Sequence, residues 1–106
     1  MEIKSVGVIG AGQMGAGIAQ VCASIGKVVT LCDIKQDFVD SGITSISKNL
    51  QRSVSKDRIS QKMMEDTLAN ISTSLENKDL SNCDIIIEAI IEDVDIKKNL
   101  FSILGD

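Results

Sequence analysis

A glycine-rich turn close to the N-terminus limits the fold of this chain more than any other feature of the sequence. Gly10, Gly12 and Gly15 are spaced as Gly-x-Gly-x-x-Gly, after the apolar run 3–9 and before the helical pattern 14–25. In such a turn the first glycine permits a bend closed to residues with a Cβ, the second lets a phosphate approach the main chain, and the third lets the helix pack on the strand. Unpaired amides at the start of the helix, together with the helix dipole, supply positive potential without a basic side chain. The sequence therefore predicts an anion-binding turn between a strand and a helix.

The residues that follow indicate which anion the turn binds. Gly26 stands where a helix C-cap belongs, and a second apolar strand, 28–32, ends in Asp33. Asp33 comes 18 residues after Gly15, close to the spacing at which a carboxylate accepts hydrogen bonds from the adenosine ribose of a dinucleotide. The predicted cofactor contacts, by main chain or side chain, are Gly10, Gly12, Gln13, Met14, Gly15 and Asp33. The alternative, a glycine turn followed by a surface aspartate with no ligand, stays open.

Asp33 also predicts which dinucleotide is preferred. A carboxylate at the ribose repels a 2′-phosphate, so the sequence favours NAD over NADP. Lys35, two residues further on, would soften that preference.

The composition argues against other classes of protein. The chain has 106 residues, 43% hydrophobic and 25% charged, which suits one globular domain with a core. A net charge of −4 with two aromatic residues does not suit a nucleic-acid binder, and no apolar run approaches the roughly 20 residues of a membrane span. There is no histidine, so we predict neither a catalytic residue nor a metal site. Three scattered cysteines and the absence of a signal-peptide pattern favour the cytoplasm.

Apolar runs predict four strands. The runs 3–9, 28–32 and 84–90 are almost continuously apolar, a pattern typical of parallel strands covered on both faces. The run 71–75 predicts a shorter strand, and we expect 3–9 to be central. Glu88 is an acid inside a strand that we expect to be buried, near its carboxyl end. It either takes part in structural hydrogen bonds or contacts the ligand.

Helical patterns separate these strands. The helix after the turn is expected to face the sheet with an apolar stripe, and small residues beside the stripe allow a close approach. The stripe consists of Met14, Ile18, Val21, Cys22 and Ile25. The small residues are Gly15, Ala16, Ala19 and Ala23. Apolar residues three to four positions apart then indicate a helical hairpin, whose first helix carries Val39, Ile43, Ile46, Leu50 and Val54. Its second helix is capped by Asp57 or Ser60, and a last helix runs from Asp95 to Leu104. The predicted fold is α/β: a Rossmann-like doubly wound parallel sheet, truncated, with a helical hairpin inserted after the second strand.

The polar side of the hairpin is basic in an otherwise acidic chain. It carries Lys48, Asn49, Arg52, Ser53, Lys56, Arg58 and Lys62. This side is either a solvated surface or a contact for an anionic substrate.

Three stretches of the sequence resemble the short-chain L-3-hydroxyacyl-CoA dehydrogenase family, especially its bacterial 3-hydroxybutyryl-CoA members. They are Val8-Ile9-Gly10-Ala11-Gly12-Gln13-Met14-Gly15-Ala16-Gly17-Ile18-Ala19-Gln20; Asp33 with the long hairpin; and Cys83-Asp84-Ile85-Ile86-Ile87-Glu88-Ala89 followed by Glu92 and Asp95-Ile96-Lys97-Lys98. The resemblance extends over all 106 residues. It implies an NAD-dependent oxidoreductase that interconverts (S)-3-hydroxybutyryl-CoA and acetoacetyl-CoA.

The resemblance also implies roles for single residues. The main chain from Gly10 to Gly15 would hold the pyrophosphate, Asp33 the adenosine ribose, and Glu92 and Lys97 the nicotinamide side. Lys56 matches a position that contacts CoA, whereas Asn49 stands where some relatives carry a serine. The serine, histidine and glutamate that do the family's chemistry lie further along the longer chains of the family.

The resemblance therefore implies that residues 1–106 are an incomplete N-terminal NAD-binding domain. The C-terminal helical domain, through which the family forms homo-oligomers and completes the acyl-CoA site, would be absent. Two alternatives remain: the NAD-binding domain of another hydroxyacid dehydrogenase, and a stand-alone nucleotide-binding module.

Overall fold

The computed structural model describes residues 2–89, which form an all-parallel sheet with helices. The elements are β1 (Ser5–Ile9), α1 (Gln13–Ser24), β2 (Val28–Cys32), α2 (Gln36–Ser55), α3 (Gln61–Ala69), β3 (Ile71–Ser74) and β4 (Ile85–Glu88), with one turn of 3-10 helix (Asn77–Leu80) before β4. The strand order is β3-β2-β1-β4. This arrangement confirms the predicted Rossmann-like sheet with a helical hairpin, α2 and α3, after the second strand. The predicted last helix and the predicted contacts Glu92 and Lys97 lie outside the described residues.

β1 is central, as predicted. It pairs with β2 on one side and with β4 on the other, so that Val6 stands beside Val29 and Ile85. Val6 and Val8 point to the face on which α1 packs, and both are buried. The sequence pattern, a continuously apolar run, indicated such a strand, which has neighbours on both sides and covered faces.

α1 packs on the sheet through its small residues, so the prediction that its large apolar stripe faces the sheet is wrong in part. Val21 and Ile25 are 63% and 67% exposed, and the half-buried Met14, Ile18 and Cys22 border the core. The buried side is Gly15, Ala16, Ala19 and Ala23. One reason is distance: a Cβ on Gly15 would lie 1.6 Å from the carbonyl oxygen of Gly10, directly after β1, so the start of α1 approaches the end of the strand too closely for a side chain at that position.

The hairpin adds its own apolar stripe to the same core. On α2, Val39, Ile46 and Leu50 are buried, and Ile43 and Val54 pack against them, as the spacing predicted. Both helices of the hairpin contact α1. The hairpin is therefore continuous with the domain core.

Ser60, and not Asp57, caps the second hairpin helix. The Ser60 hydroxyl accepts a hydrogen bond from the Met63 amide at 3.1 Å, which satisfies one unpaired donor of the first turn of α3. Asp57 instead follows α2 in a left-handed conformation, with φ of 58°.

The other face of the sheet is covered in part by the segment before β4. Leu80 is fully buried, and its side chain lies 3.1 Å from the position of a Cβ on Gly7. Position 7 lies on the opposite face of β1 from Val6 and Val8. Within residues 2–89, the crossover from β3 to β4 therefore lies on the face opposite α1.

β4 is more exposed than the sequence predicted. Ile85 and Ile86 are 39% and 46% exposed, and the Glu88 side chain is exposed as well. Within the part of the chain that the structure describes, β4 lies at the edge of the sheet and pairs with β1 alone. The expectation that Glu88 is a buried carboxylate is therefore wrong, because its side chain is exposed in this strand.

Candidate functional site

The glycine-rich turn lies at the carboxyl edge of the sheet, between the ends of two strands. The Gly10 amide donates to the Cys32 carbonyl at the end of β2, and the Ala89 amide donates to the Ile9 carbonyl at the end of β1, both at 2.7 Å. Gly10 has φ of 106°, a conformation that strongly favours glycine. The first glycine is thus required by the backbone of the turn.

The start of α1 is open towards solvent. Gly12 is the N-cap residue, has no side chain to cap the helix, and is exposed. A Cβ built on Gly12 would meet nothing within 4 Å. The first hydrogen bond of the helix runs from the Ala16 amide to the Gly12 carbonyl at 2.9 Å, so the amides of residues 13–15 project from the helix end without intrahelical partners.

This geometry fits a diphosphate. An uncapped helix N-terminus offers several amides and the positive end of the helix dipole to one anion. The empty space above Gly12 is where an oxygen-rich group could reach the main chain.

Asp33 lies beside the turn, as the spacing predicted. Its carboxylate accepts a hydrogen bond from the Ala11 amide through Oδ2 and one from the Ile34 amide through Oδ1, both at 2.7 Å. The residue is half-buried at the end of β2. The turn, the helix end and one carboxylate thus share the carboxyl edge of the sheet, where ligands of such sheets bind.

The two remaining turn residues have different surroundings. Met14 is half-buried and packs against the core. Gln13 is exposed and lines a cleft together with residues of α2.

A cleft of about 230 Å³ opens between α1 and α2 next to the turn. Its walls are formed by Gln13, Ala16, Gly17, Ser45, Lys48, Asn49 and Arg52. Within residues 2–89, neither Lys48 nor Arg52 has an ionic partner, whereas Lys62 on α3 pairs with Asp66 at 3.4 Å. The cleft therefore concentrates two positive charges beside the turn.

Lys56 lies next to this cleft without lining it. It is the exposed C-cap residue of α2, and its amide donates to the Arg52 carbonyl at 3.1 Å. Lys56 follows Arg52 by one helical turn, so α2 presents three cations in succession. Asn49 Nδ2 crosses the cleft and donates to Gln20 Oε1 at 3.4 Å.

Gly42 supports the turn from behind and was not singled out in the sequence. A Cβ at this position would lie 2.9 Å from the Ala11 carbonyl oxygen and 3.1 Å from Leu31. A glycine inside a helix costs about 1 kcal/mol relative to alanine. A glycine in the middle of α2 therefore indicated that another part of the chain packs closely against this position.

Within residues 2–89 we find no metal-binding cluster and no activated thiol. Within residues 2–89, no group of three metal-ligating side chains occurs, and the same part of the chain contains no helix long and apolar enough to span a membrane. Burial raises the pKa of the Cys22, Cys32 and Cys83 thiols, and an acidic neighbour adds to this for Cys32 and Cys83. These thiols therefore lack the environment of an activated nucleophile.

The fold and the turn together define a Rossmann-type dinucleotide-binding domain. Residues 5–106 match the family described as 3-hydroxyacyl-CoA dehydrogenase, NAD binding domain. The chain belongs to this family, and NAD is its cofactor.

Relatives in sequence and in structure agree with this membership. A 3-hydroxybutyryl-CoA dehydrogenase of Bradyrhizobium diazoefficiens is 42% identical over 99 residues, which cover 93% of this chain and 34% of the relative. The crystal structure of (S)-3-hydroxybutyryl-CoA dehydrogenase PaaH1 from Ralstonia eutropha superposes with a TM-score of 0.84 at 39% identity, over 98% of this chain and 37% of that one. M. tuberculosis FadB2 gives a TM-score of 0.85 at 36% identity, over 98% and 36%. The chain thus spans about a third of the length of these relatives.

Proposed function

We propose that residues 1–106 form the N-terminal NAD-binding domain of a 3-hydroxybutyryl-CoA dehydrogenase, which interconverts (S)-3-hydroxybutyryl-CoA and acetoacetyl-CoA in fatty-acid or butyrate metabolism. The uncapped start of α1 beneath the open space at Gly12 is the observation that carries this proposal. The names of the relatives support the choice of substrate. When bound, NAD supplies the nicotinamide ring that exchanges a hydride with the substrate.

The proposed cofactor contacts follow the carboxyl edge of the sheet. The amides of residues 12–15 hold the pyrophosphate, and the Asp33 carboxylate accepts from the adenosine ribose hydroxyls. Two of its acceptor positions are taken by the Ala11 and Ile34 amides, which leaves about two of four for the ribose. Glu92 and Lys97, outside the described residues, are proposed to contact the nicotinamide side.

The hairpin is proposed to hold the CoA portion of the substrate. CoA carries several negatively charged phosphate oxygens. Lys48 and Arg52 line the cleft next to the turn, and Lys56 follows one helical turn further along. The two cations that line the cleft, Lys48 and Arg52, attract such a ligand even in a chain with a net charge of −4. This arrangement favours the substrate contact over the purely solvated surface.

The setting proposed for this domain is the cytoplasm. Among residues 2–89, Cys22, Cys32 and Cys83 are all free thiols, which agrees with a reducing compartment. We propose that the protein is a homo-oligomer, assembled as in the family through a C-terminal helical domain.

The test is the substitution Gly12→Val. A Cβ at Gly12 meets nothing within 4 Å, and the residue is extended, with φ of −72° and ψ of −168°. Valine is therefore compatible with the fold, and its side chain occupies the space proposed for the pyrophosphate. We expect a slightly lowered thermal midpoint, because valine is a poorer N-cap residue than glycine, and at least a roughly tenfold loss of NADH affinity in a fluorescence titration. Equal NADH affinities of wild type and variant would refute the proposed site.

A further inference from the structure

Asp33 makes a contact that ribose binding does not require. Its Oδ2 atom accepts a hydrogen bond from the amide of Ala11, the residue between the first two glycines of the turn, at 2.7 Å. The two residues are 22 positions apart in the chain. The bond therefore joins the end of β2 to the glycine-rich turn.

The Ala11 amide depends on this carboxylate. Ala11 is only 4% exposed, and within residues 2–89 its amide has no other acceptor. A buried amide that loses its acceptor is costly, and a bond to an ionised acceptor is stronger than a neutral one. The conformation of the turn is therefore coupled to the side chain at position 33.

A second bond anchors the turn to the same strand end. The Gly10 amide donates to the Cys32 carbonyl at 2.7 Å. Two successive amides of the turn are therefore held by Cys32, the last residue of β2, and by Asp33, which follows it. The Gly10 bond uses main chain on both sides and survives any substitution that keeps the fold. The Ala11 bond alone depends on the identity of a side chain.

We propose that Asp33 is a positioning residue, which holds the glycine-rich turn in its phosphate-binding conformation through the Ala11 amide before any ribose is bound. This role rests on the proposed NAD site and is additional to a ribose contact. A carboxylate can serve both purposes because it has about four acceptor positions, of which the Ala11 and Ile34 amides use two.

Hydrogen exchange of the Ala11 amide in the ligand-free protein tests this role directly. Asp33→Asn replaces one oxygen by an NH₂ group, which cannot accept from an amide, so the two donors compete for one acceptor. We expect the Ala11 amide to exchange about tenfold faster in Asp33→Asn, as measured by NMR. Asp37→Asn, which removes the same charge at an exposed position in the first turn of α2, is the matched control and leaves the rate unchanged. An unchanged rate in Asp33→Asn would overturn the inference.

The amides of Val6 and Val8 in buried β1 report whether each variant is folded. If Asp33→Asn is unfolded, Asp33→Glu takes its place, because it keeps both acceptors but places them one methylene further from the main chain than the 2.7 Å bond to Ala11 requires. Faster Ala11 exchange in a folded Asp33→Glu supports the proposal, and an unchanged rate contradicts it.

A ligand without the adenosine ribose separates positioning from ribose contact. Reduced nicotinamide mononucleotide carries a phosphate and lacks that ribose, so a residue that only binds the ribose would not affect it. We expect Asp33→Asn to weaken this ligand about fivefold, the worth of one ordinary hydrogen bond, and to weaken NADH more. Loss of NADH affinity alone, with the mononucleotide unaffected, would overturn the positioning role and leave the NAD site standing. Failure of wild type to bind NADH would instead overturn the proposed function, while the exchange result would still decide the role of Asp33.

Discussion

At the scale of single residues, two glycines inside helices have opposite surroundings and make a matched pair. A Cβ on Gly42 of α2 would lie 2.9 Å from the Ala11 carbonyl oxygen, whereas a Cβ on Gly17 of α1 would meet nothing within 4 Å. Helix propensity favours alanine at both positions by about 1 kcal/mol. The difference between the two sites is therefore the packing of α2 against the glycine-rich turn.

We expect Gly42→Ala to destabilise the protein and Gly17→Ala to stabilise it. Overpacking against a backbone carbonyl that cannot move freely costs about 1–3 kcal/mol and outweighs the gain in propensity. Gly17→Ala keeps the gain of about 1 kcal/mol. Urea denaturation of both variants measures the two signs. Stabilisation by Gly42→Ala would mean that α2 can move away from Ala11 at little cost.

For single residues, the sequence predicted local backbone conformation but not hydrogen bonds between distant residues. The positive φ at Gly10 and the close approach at Gly15 were both predicted, because each follows from one motif in one local conformation. The hydrogen bond from Ala11 to Asp33 was not predicted. It depends on where the end of β2 lies relative to the turn, and only the assembled sheet fixes that distance.

At the scale of elements, Asp84 ties the start of β4 to the start of β1. Its Oδ2 atom accepts hydrogen bonds from the Lys4 amide at 2.7 Å and the Ser5 amide at 3.1 Å. The Asp84 amide in turn donates to the Ser5 carbonyl at 3.0 Å. The hydrogen bond from the Lys4 amide is the largest of the effects that lower the pKa of this carboxyl below its ordinary value of 3.8.

The lowered pKa predicts a pH-dependent contribution to stability. Because the folded pKa lies below the unfolded one, the contribution is fully present well above pH 3.8 and is lost as the pH falls through the folded pKa. We expect Asp84→Asn to lower the thermal midpoint near neutral pH, and the gap to the wild type to close progressively in acid. Thermal melts of both proteins over a series of pH values measure the gap. A gap that stays constant into acid would show that the ionised carboxylate contributes nothing.

Element boundaries and faces were predictable to different degrees. The predicted bounds of β2 match the observed ones, because apolar β-branched runs between a glycine and an acid are unambiguous. The buried side of α1 was predicted wrongly in part, since hydrophobicity selected Val21 and Ile25 over alanines. Which side of α1 is buried depends on how closely the helix approaches the sheet, and Gly15 permits a close approach at the start of the helix.

At the scale of the whole molecule, charge is distributed unevenly. The chain carries a net charge of −4, yet Lys48, Arg52 and Lys56 follow one another along α2 beside the cleft. Sequence alone showed that the hairpin is basic. It could not show which cations share the cleft, because that depends on how α2 crosses α1.

This distribution, taken with the proposed CoA contact, predicts which substitutions weaken CoA binding. Lys48 and Arg52, which have no ionic partner within residues 2–89, attract a polyanion. Salt screens such an attraction because the Debye length falls from about 30 Å at 0.01 M to about 8 Å at 0.15 M. We expect the double variant Lys48→Gln, Arg52→Gln to bind CoA several-fold more weakly than wild type in calorimetry at low salt. The difference should shrink as the salt concentration rises. NADH affinity should change much less, since in the proposed NAD site the phosphates are held by amides of the turn and not by these two cations.

Lys62→Gln is the matched control for that experiment. It removes one positive charge from the same hairpin, but Lys62 pairs with Asp66 on α3 and does not line the cleft. CoA affinity should therefore stay close to the wild-type value in this variant. If Lys62→Gln weakens CoA binding per charge as much as the double variant does, the effect belongs to net charge and not to the cleft. An unchanged CoA affinity in the double variant would exclude Lys48 and Arg52 from the substrate site and leave Lys56 as the one cation proposed for it.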